Sequence, residues 1–137
     1  MPKRTVEVFF YGLFMDEELL RGKGLNPQRS EVGSVQGMSL RLGQRAALVP
    51  DRRGLVYGVM MSLTMDELER LYSEPGVQAY RPQPVLVHPA SGGGVVAALC
   101  YNLPEPPSPG EHNPEYATKL RAVARRAGLP EDYVASI

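Results

Sequence analysis

The feature that most constrains the fold is a nearly unbroken apolar run near the start of the chain, Thr5–Tyr11, which ends at Gly12. Valine and phenylalanine favour β-structure, and a run with few polar breaks predicts a strand that is covered on both faces. The rest of the chain must therefore supply elements for both sides of this strand. After the glycine, three more large apolar residues precede a short helix predicted over Asp16–Arg21, which Asp16 can cap.

Length and composition limit the classes of protein to which this chain can belong. A length of 137 residues fits one domain over 1–137. The 15 basic and 15 acidic residues cancel, so no net charge attracts nucleic acid or an anionic membrane. The single cysteine excludes an internal disulfide and is typical of a reducing compartment. Because residues 1–4 lack an apolar signal region and no apolar run approaches the ~20 residues of a spanning helix, we expect a cytoplasmic protein without a membrane segment.

Further strands and helices follow from local patterns. Leu55–Leu63 is a clear strand, and a helix begins directly after it at Thr64, where Glu67 stands at the closing position of a capping box. Leu68, Leu71 and Tyr72 form one apolar stripe at helical spacing. Pro75 disfavours helical geometry before it, so this helix should end near Ser73. The other predicted elements are strands within Met38–Val49, a turn at Asp51–Gly54, strands at Tyr80–His88 and Val95–Leu103 joined by a hairpin loop at Ser91–Gly94, a proline-rich crossing at Pro104–Pro114, and a last helix from Asn113 to Gly128. The stretch Gly24–Gln36 is irregular by pattern, although part of it could pair as a strand.

These elements predict a compact α+β protein with about six strands and about three helices. A metal site is not expected, because the two histidines and the cysteine lack ligand spacing. Cys100 lies in an apolar strand and is expected to pack as a small hydrophobe. The glycines at 92–94 are followed by a strand rather than a helix, which favours a hairpin over a phosphate loop. Four arginines, Arg41, Arg45, Arg52 and Arg53, are expected to form a solvated face.

Two turns have both a structural and a functional interpretation. The Tyr11–Met15 loop can be a tight turn with Phe14 packed in the core, or it can present backbone N–H groups to a carboxylate. Glu74-Pro75-Gly76 can be a type II surface turn. Alternatively, the partial negative charge at a helix C-terminus favours the protonated form of a nearby carboxylate, which would suit Glu74 to general-base catalysis.

Three stretches in order resemble the γ-glutamylcyclotransferase-like family, which includes AIG2-like and γ-glutamylamine cyclotransferase members. They are FFYGLFM, GLVYGVMMSLTMDELERLYSEPGVQAYRPQPVLV and PSPGEHNPEYATKLRAVARRAGLPEDYVASI. The resemblance implies a small mixed β-barrel flanked by helices. It also implies that the α-amine of a small-molecule γ-glutamyl substrate attacks its own γ-carbonyl, which releases 5-oxoproline and a free amine or amino acid without a cofactor.

The resemblance also implies a set of site residues. Glu74 matches the catalytic glutamate, which would act as general acid and base. The substrate-binding residues would be Tyr11, Gly12, Leu13 and Phe14 in the loop, together with Tyr80 and Tyr116. Tyr80 and Tyr116 could equally be packing residues of amphipathic elements.

The chain departs from the family pattern at several of these positions. Leu13 stands where the family has Ser or Thr, Phe14 is larger than the usual residue, Tyr72 replaces an aspartate, and Pro75 replaces the glycine after the glutamate. Two alternatives to the cyclotransferase therefore stay open. One is a non-catalytic small-molecule-binding or interaction module of the same fold. The other is a related amide hydrolase that uses water as the nucleophile.

Overall fold

A computed structural model describes residues 4–137 and confirms the α+β class. Five strands form a closed barrel in the order β1-β3-β2-β4-β5. The strands are β1 (Thr5–Phe10), β2 (Gln28–Leu42), β3 (Ala46–Thr64), β4 (Arg81–Pro89) and β5 (Val96–Asn102), and the α-helices are α1 (Glu17–Gly22), α2 (Met65–Leu71), α3 (Pro114–Ala127) and α4 (Glu131–Ser136). Residues 1–3, which the expectation of no signal region concerns, lie outside the described part of the chain.

The strand β1 is central, as its apolar run predicts. It pairs antiparallel with β3 along its whole length and touches β5 in parallel at Val8↔Leu99, which closes the barrel and makes it mixed. Val8 and Phe10 belong to the core beneath the helices, whereas Phe9 belongs to a second core cluster with β4 and β5. All three are almost fully buried, so both faces of the strand are covered.

The predicted turn at Asp51–Gly54 is wrong. These residues lie inside β3, which runs without a break from Ala46 to Thr64, so two predicted strands are one and the barrel has five strands rather than six. The pairing with β2 shifts between Gln36 and Met38, where Gly37 has a positive φ of 84°. A Cβ on Gly54 would lie 2.2 Å from the Met38 carbonyl oxygen. The glycine therefore marks a close approach of two backbones at a bulge.

The predicted start of α2 and end of α3 are both present. Thr64 and Glu67 form the reciprocal capping box at the start of α2. Gly128, with a φ of 90°, ends α3 in the left-handed conformation that glycine adopts without strain. The sequence interpretation missed α4, a six-residue helix that follows α3 after Pro130. Helices this short have little propensity signal of their own and depend on packing, here through the fully buried Val134.

Candidate functional site

The loop after β1 bends sharply at the rim of the barrel. Leu13–Met15 form one turn of 3-10 helix, in which the Met15 N–H donates to the Gly12 carbonyl at 3.0 Å. Asp16 then caps α1, and its Oδ1 accepts from the Glu18 N–H at 3.1 Å. This cap ties the helix start to the loop. The other oxygen of Asp16, Oδ2, accepts from Arg126 Nη2 at 3.1 Å, which links the turn to α3.

A pocket of about 210 Å³ lies against this loop. It contains six of the seven site residues that the resemblance implies. These are Tyr11, Gly12, Leu13, Phe14, Tyr80 and Tyr116. The walls are mostly aromatic, and among the described residues that line the pocket there is no carboxylate.

The tyrosine hydroxyls of the pocket differ in their partners. Tyr11 donates to the Tyr101 carbonyl at 3.0 Å, and Tyr80 donates to the Ala46 carbonyl. Tyr116 places its oxygen 3.0 Å from where a Cβ on Gly12 would stand. Burial raises the pKa of Tyr116, and the Leu13 backbone N–H, directed at its oxygen, opposes this rise. The hydroxyls of Tyr11 and Tyr80 therefore stabilise the pocket wall by hydrogen bonds to backbone carbonyls, whereas the hydroxyl of Tyr116 lies against the backbone of the loop.

Tyr72 is a pocket residue that the sequence interpretation treated only as packing and as a departure from the family pattern. Its ring stacks on Tyr101 with centroids 4.0 Å apart and meets Phe14 edge-on at 5.8 Å. Burial is the main cause that raises the pKa of its hydroxyl, with smaller contributions from Cys100 and Tyr80. Within the described part of the chain this hydroxyl has no hydrogen-bond partner. A protonated hydroxyl in a pocket wall can donate to a ligand.

Glu74 is the one implied site residue that does not line the pocket. It follows the end of α2, between the pocket residues Tyr72 and Pro75. Its Oε1 accepts from the Lys23 Nζ at 2.6 Å, and 37% of its side chain is exposed. The Lys23 Nζ lies 6.0 Å from the centre of the Phe14 ring. The ion pair therefore lies near the Phe14 wall, and the loop and the glutamate are neighbours although Glu74 does not line the pocket.

Arg45 is the only charged side chain among the described residues that line the pocket. It was expected to be part of a solvated basic face, and the residue is indeed exposed. Its Nη1 donates to the Gly76 carbonyl at 3.2 Å, which places the guanidinium at the mouth beside the turn that carries Glu74. No local pattern could have indicated this, since the two residues are brought together only by the fold.

Within residues 4–137, no group of histidine, cysteine, aspartate and glutamate side chains is arranged to hold a metal ion. No helix in that range combines the length and the apolar character that crossing a membrane requires.

Comparisons with known proteins identify the family and support the fold. A family model described as the AIG2-like family matches residues 55–137, which is more than half of the chain. No curated protein matches the sequence. A solved structure described as gamma-glutamyl cyclotransferase superimposes with a TM-score of 0.80 at 20% identity, covering 97% of this chain and 86% of the other.

Two further solved structures share the fold at lower similarity. A yeast gamma-glutamyl cyclotransferase described as specific to glutathione has a TM-score of 0.65 at 15% identity, covering 96% of this chain and 93% of that one. A mouse AIG2-like protein has a TM-score of 0.59 at 15% identity, covering 82% of each chain. At these identities the likeness concerns the fold alone.

Proposed function

The chain belongs to the AIG2-like family, and from that premise we propose that it is a γ-glutamyl cyclotransferase, a cyclising acyltransferase with Glu74 as general acid and base. One observation carries the proposal. The Tyr11–Met15 loop, Tyr80 and Tyr116 enclose a single pocket directly beside the turn that bears Glu74. We further propose that it acts in a reducing, cytoplasmic setting, in line with its single cysteine.

The reaction requires one bond to form and one to break. The α-amine attacks the γ-carbonyl carbon and forms the five-membered ring of 5-oxoproline, and the bond from that carbon to the leaving nitrogen breaks. The α-ammonium must first lose a proton, and the leaving nitrogen must gain one. A single carboxylate can perform both transfers in turn.

The pocket suits the other requirements of this cyclisation. Its aromatic walls can hold the substrate folded, with amine near carbonyl, which lowers the entropy cost of ring closure. Backbone N–H groups of the Tyr11–Met15 loop other than those of Leu13 and Met15, which already have acceptors, can stabilise the negative charge that develops on the carbonyl oxygen. Glu74 must leave Lys23 and turn past Phe14 to reach the amine.

A second candidate function is a binding module that does not turn over its ligand. The Lys23–Glu74 ion pair and the absence of a carboxylate among the described lining residues favour it. The same pocket would then hold a γ-glutamyl compound or a related small molecule, and Glu74 would only stabilise the turn.

A turnover assay separates these functions. Purified protein is incubated with a panel of γ-glutamyl amines and dipeptides, and 5-oxoproline and free glutamate are measured for the wild type and for Glu74→Gln. Glu115→Gln, which removes an exposed carboxylate from α3, is the matched control. We expect 5-oxoproline from the wild type and Glu115→Gln but not from Glu74→Gln.

Each of the other possible assay results would contradict a different part of the proposal. If 5-oxoproline still forms in Glu74→Gln, the catalytic assignment is wrong. Free glutamate in place of 5-oxoproline would indicate the amide hydrolase. No product from any compound, at a sensitivity that detects a slow enzyme, would favour the binding module.

A further inference from the structure

The pocket shares one lining residue, Arg45, with a second, outer cavity. This outer groove has a volume of about 660 Å³ and lies along the proline-rich segment 104–108. A ligand in the inner pocket of about 210 Å³ that extended past Arg45 would therefore meet this guanidinium and then the groove.

The other charged groups of the groove already have protein partners or point to solvent. Glu111 accepts from the Ser108 N–H at 2.6 Å and from the Gln44 N–H at 3.3 Å, so both of its oxygens bind backbone. Arg81 donates to the carbonyls of Gln78 at 2.6 Å and Tyr80 at 2.9 Å. Glu105 is exposed. Neither carboxylate is paired with Arg45.

Arg45 itself has spare donors. Its hydrogen bond to the Gly76 carbonyl uses one of the five N–H groups of a guanidinium. Within the described residues it forms no ion pair with a carboxylate. A planar guanidinium binds a carboxylate through two parallel hydrogen bonds, and this one belongs to the residue that the pocket and the groove share.

We propose that Arg45 determines substrate specificity by binding a carboxylate on the leaving half of the substrate. The preferred substrates are then γ-glutamyl amino acids or peptides, and γ-glutamyl amines without a carboxylate are poor ones. This inference rests on the proposed function for the identity of the ligand, but the charge preference can be measured by binding alone.

The test uses two compounds that differ in one charge, γ-glutamyl-alanine and γ-glutamyl-alanine amide. We expect the wild type to favour the acid in kcat/KM by about tenfold, which is the effect of one charge-assisted hydrogen bond at a partly exposed site. Arg45→Gln should abolish this preference, mainly by raising KM for the acid, because the contact exists before and during the reaction. Arg52→Gln, which removes an exposed arginine that lines neither cavity, should keep it.

Calorimetric binding of the same two compounds separates this inference from the proposed function. If neither compound yields 5-oxoproline but the acid binds more tightly and Arg45→Gln removes the difference, the role of Arg45 stands and the cyclotransferase proposal fails. If both compounds react equally well and Arg45→Gln changes neither, the cyclotransferase proposal stands and the role of Arg45 is wrong. Absence of both turnover and a binding difference also overturns the role of Arg45.

Discussion

Replacing Lys23 with methionine is expected to raise cyclotransferase activity at neutral pH. In the structure the Lys23 Nζ holds the Glu74 carboxylate at 2.6 Å, outside the pocket. A general base that must first leave an ion pair acts only in the fraction of molecules in which the pair is open. Methionine keeps an apolar stem of similar length beside Phe14 and removes the charge.

The size of the effect follows from the geometry of the pair. Two unit charges at 2.6 Å attract by about 1.6 kcal/mol at the dielectric constant of water and by about 6 kcal/mol at an effective constant of 20. The side chains are 28% and 37% exposed, which places the pair closer to the first limit. Ordering two long side chains offsets part of this attraction, which leaves a net of about 1 kcal/mol. The paired form then predominates by about five to one, so about one sixth of the molecules have the pair open, and its removal raises kcat/KM by up to about sixfold.

The assay is 5-oxoproline formation by the wild type, Lys23→Met and two controls. Lys23→Arg keeps the charge, and Lys119→Met removes an exposed lysine from α3. Salt provides an independent readout, because screening weakens an exposed ion pair. Wild-type activity should rise with salt concentration, whereas that of Lys23→Met should not. A stable Lys23→Met protein with unchanged or lower kcat/KM would refute the view that the pair opposes catalysis.

Three further predictions concern stability and reactivity. Gly58→Ala should lower the free energy of unfolding in urea by about 3 kcal/mol, because its Cβ would stand 2.2 Å from the Phe10 carbonyl oxygen; an unchanged urea midpoint would contradict this. Partial burial raises the pKa of Glu67, but hydrogen bonds from Thr64 and Asn26 outweigh it and hold the pKa below 4.5. The stabilisation by this carboxylate is therefore present above that pH and lost below it, so Glu67→Gln should reduce the fall in Tm between about pH 6 and about pH 3, and an equal fall in both proteins would refute it. Burial raises the pKa of the Cys100 thiol to about 12, so a thiol reagent at neutral pH should label it only in urea-unfolded protein; rapid labelling of the folded protein would show that the strand opens.

The candidate site was only partly predictable from the sequence. The Tyr11–Met15 loop, Tyr80 and Tyr116 were identified through family resemblance, and they do meet at one pocket. Tyr72 was interpreted as part of a helical apolar stripe, and its ring does pack, but it also forms a pocket wall. Periodicity indicates that a side chain is buried. It does not indicate whether the buried side chain faces a neighbour or a cavity.

Local order was determined by the sequence itself. The capping box of Thr64 and Glu67 and the end of α3 at Gly128 each depend on interactions within a few residues. The strand β1 is marked by a contiguous apolar run, although its hydrogen bonds go to distant strands. Propensity alone favours a turn at residues 51–54. Only the tertiary structure decided that they lie inside a continuous strand, because β3 pairs with β2 on both sides of them, at Pro50 and at Leu55. The same holds for the partner of Glu74, since Lys23 lies 51 residues away along the chain and meets it only when α1 and the end of α2 close around the barrel rim.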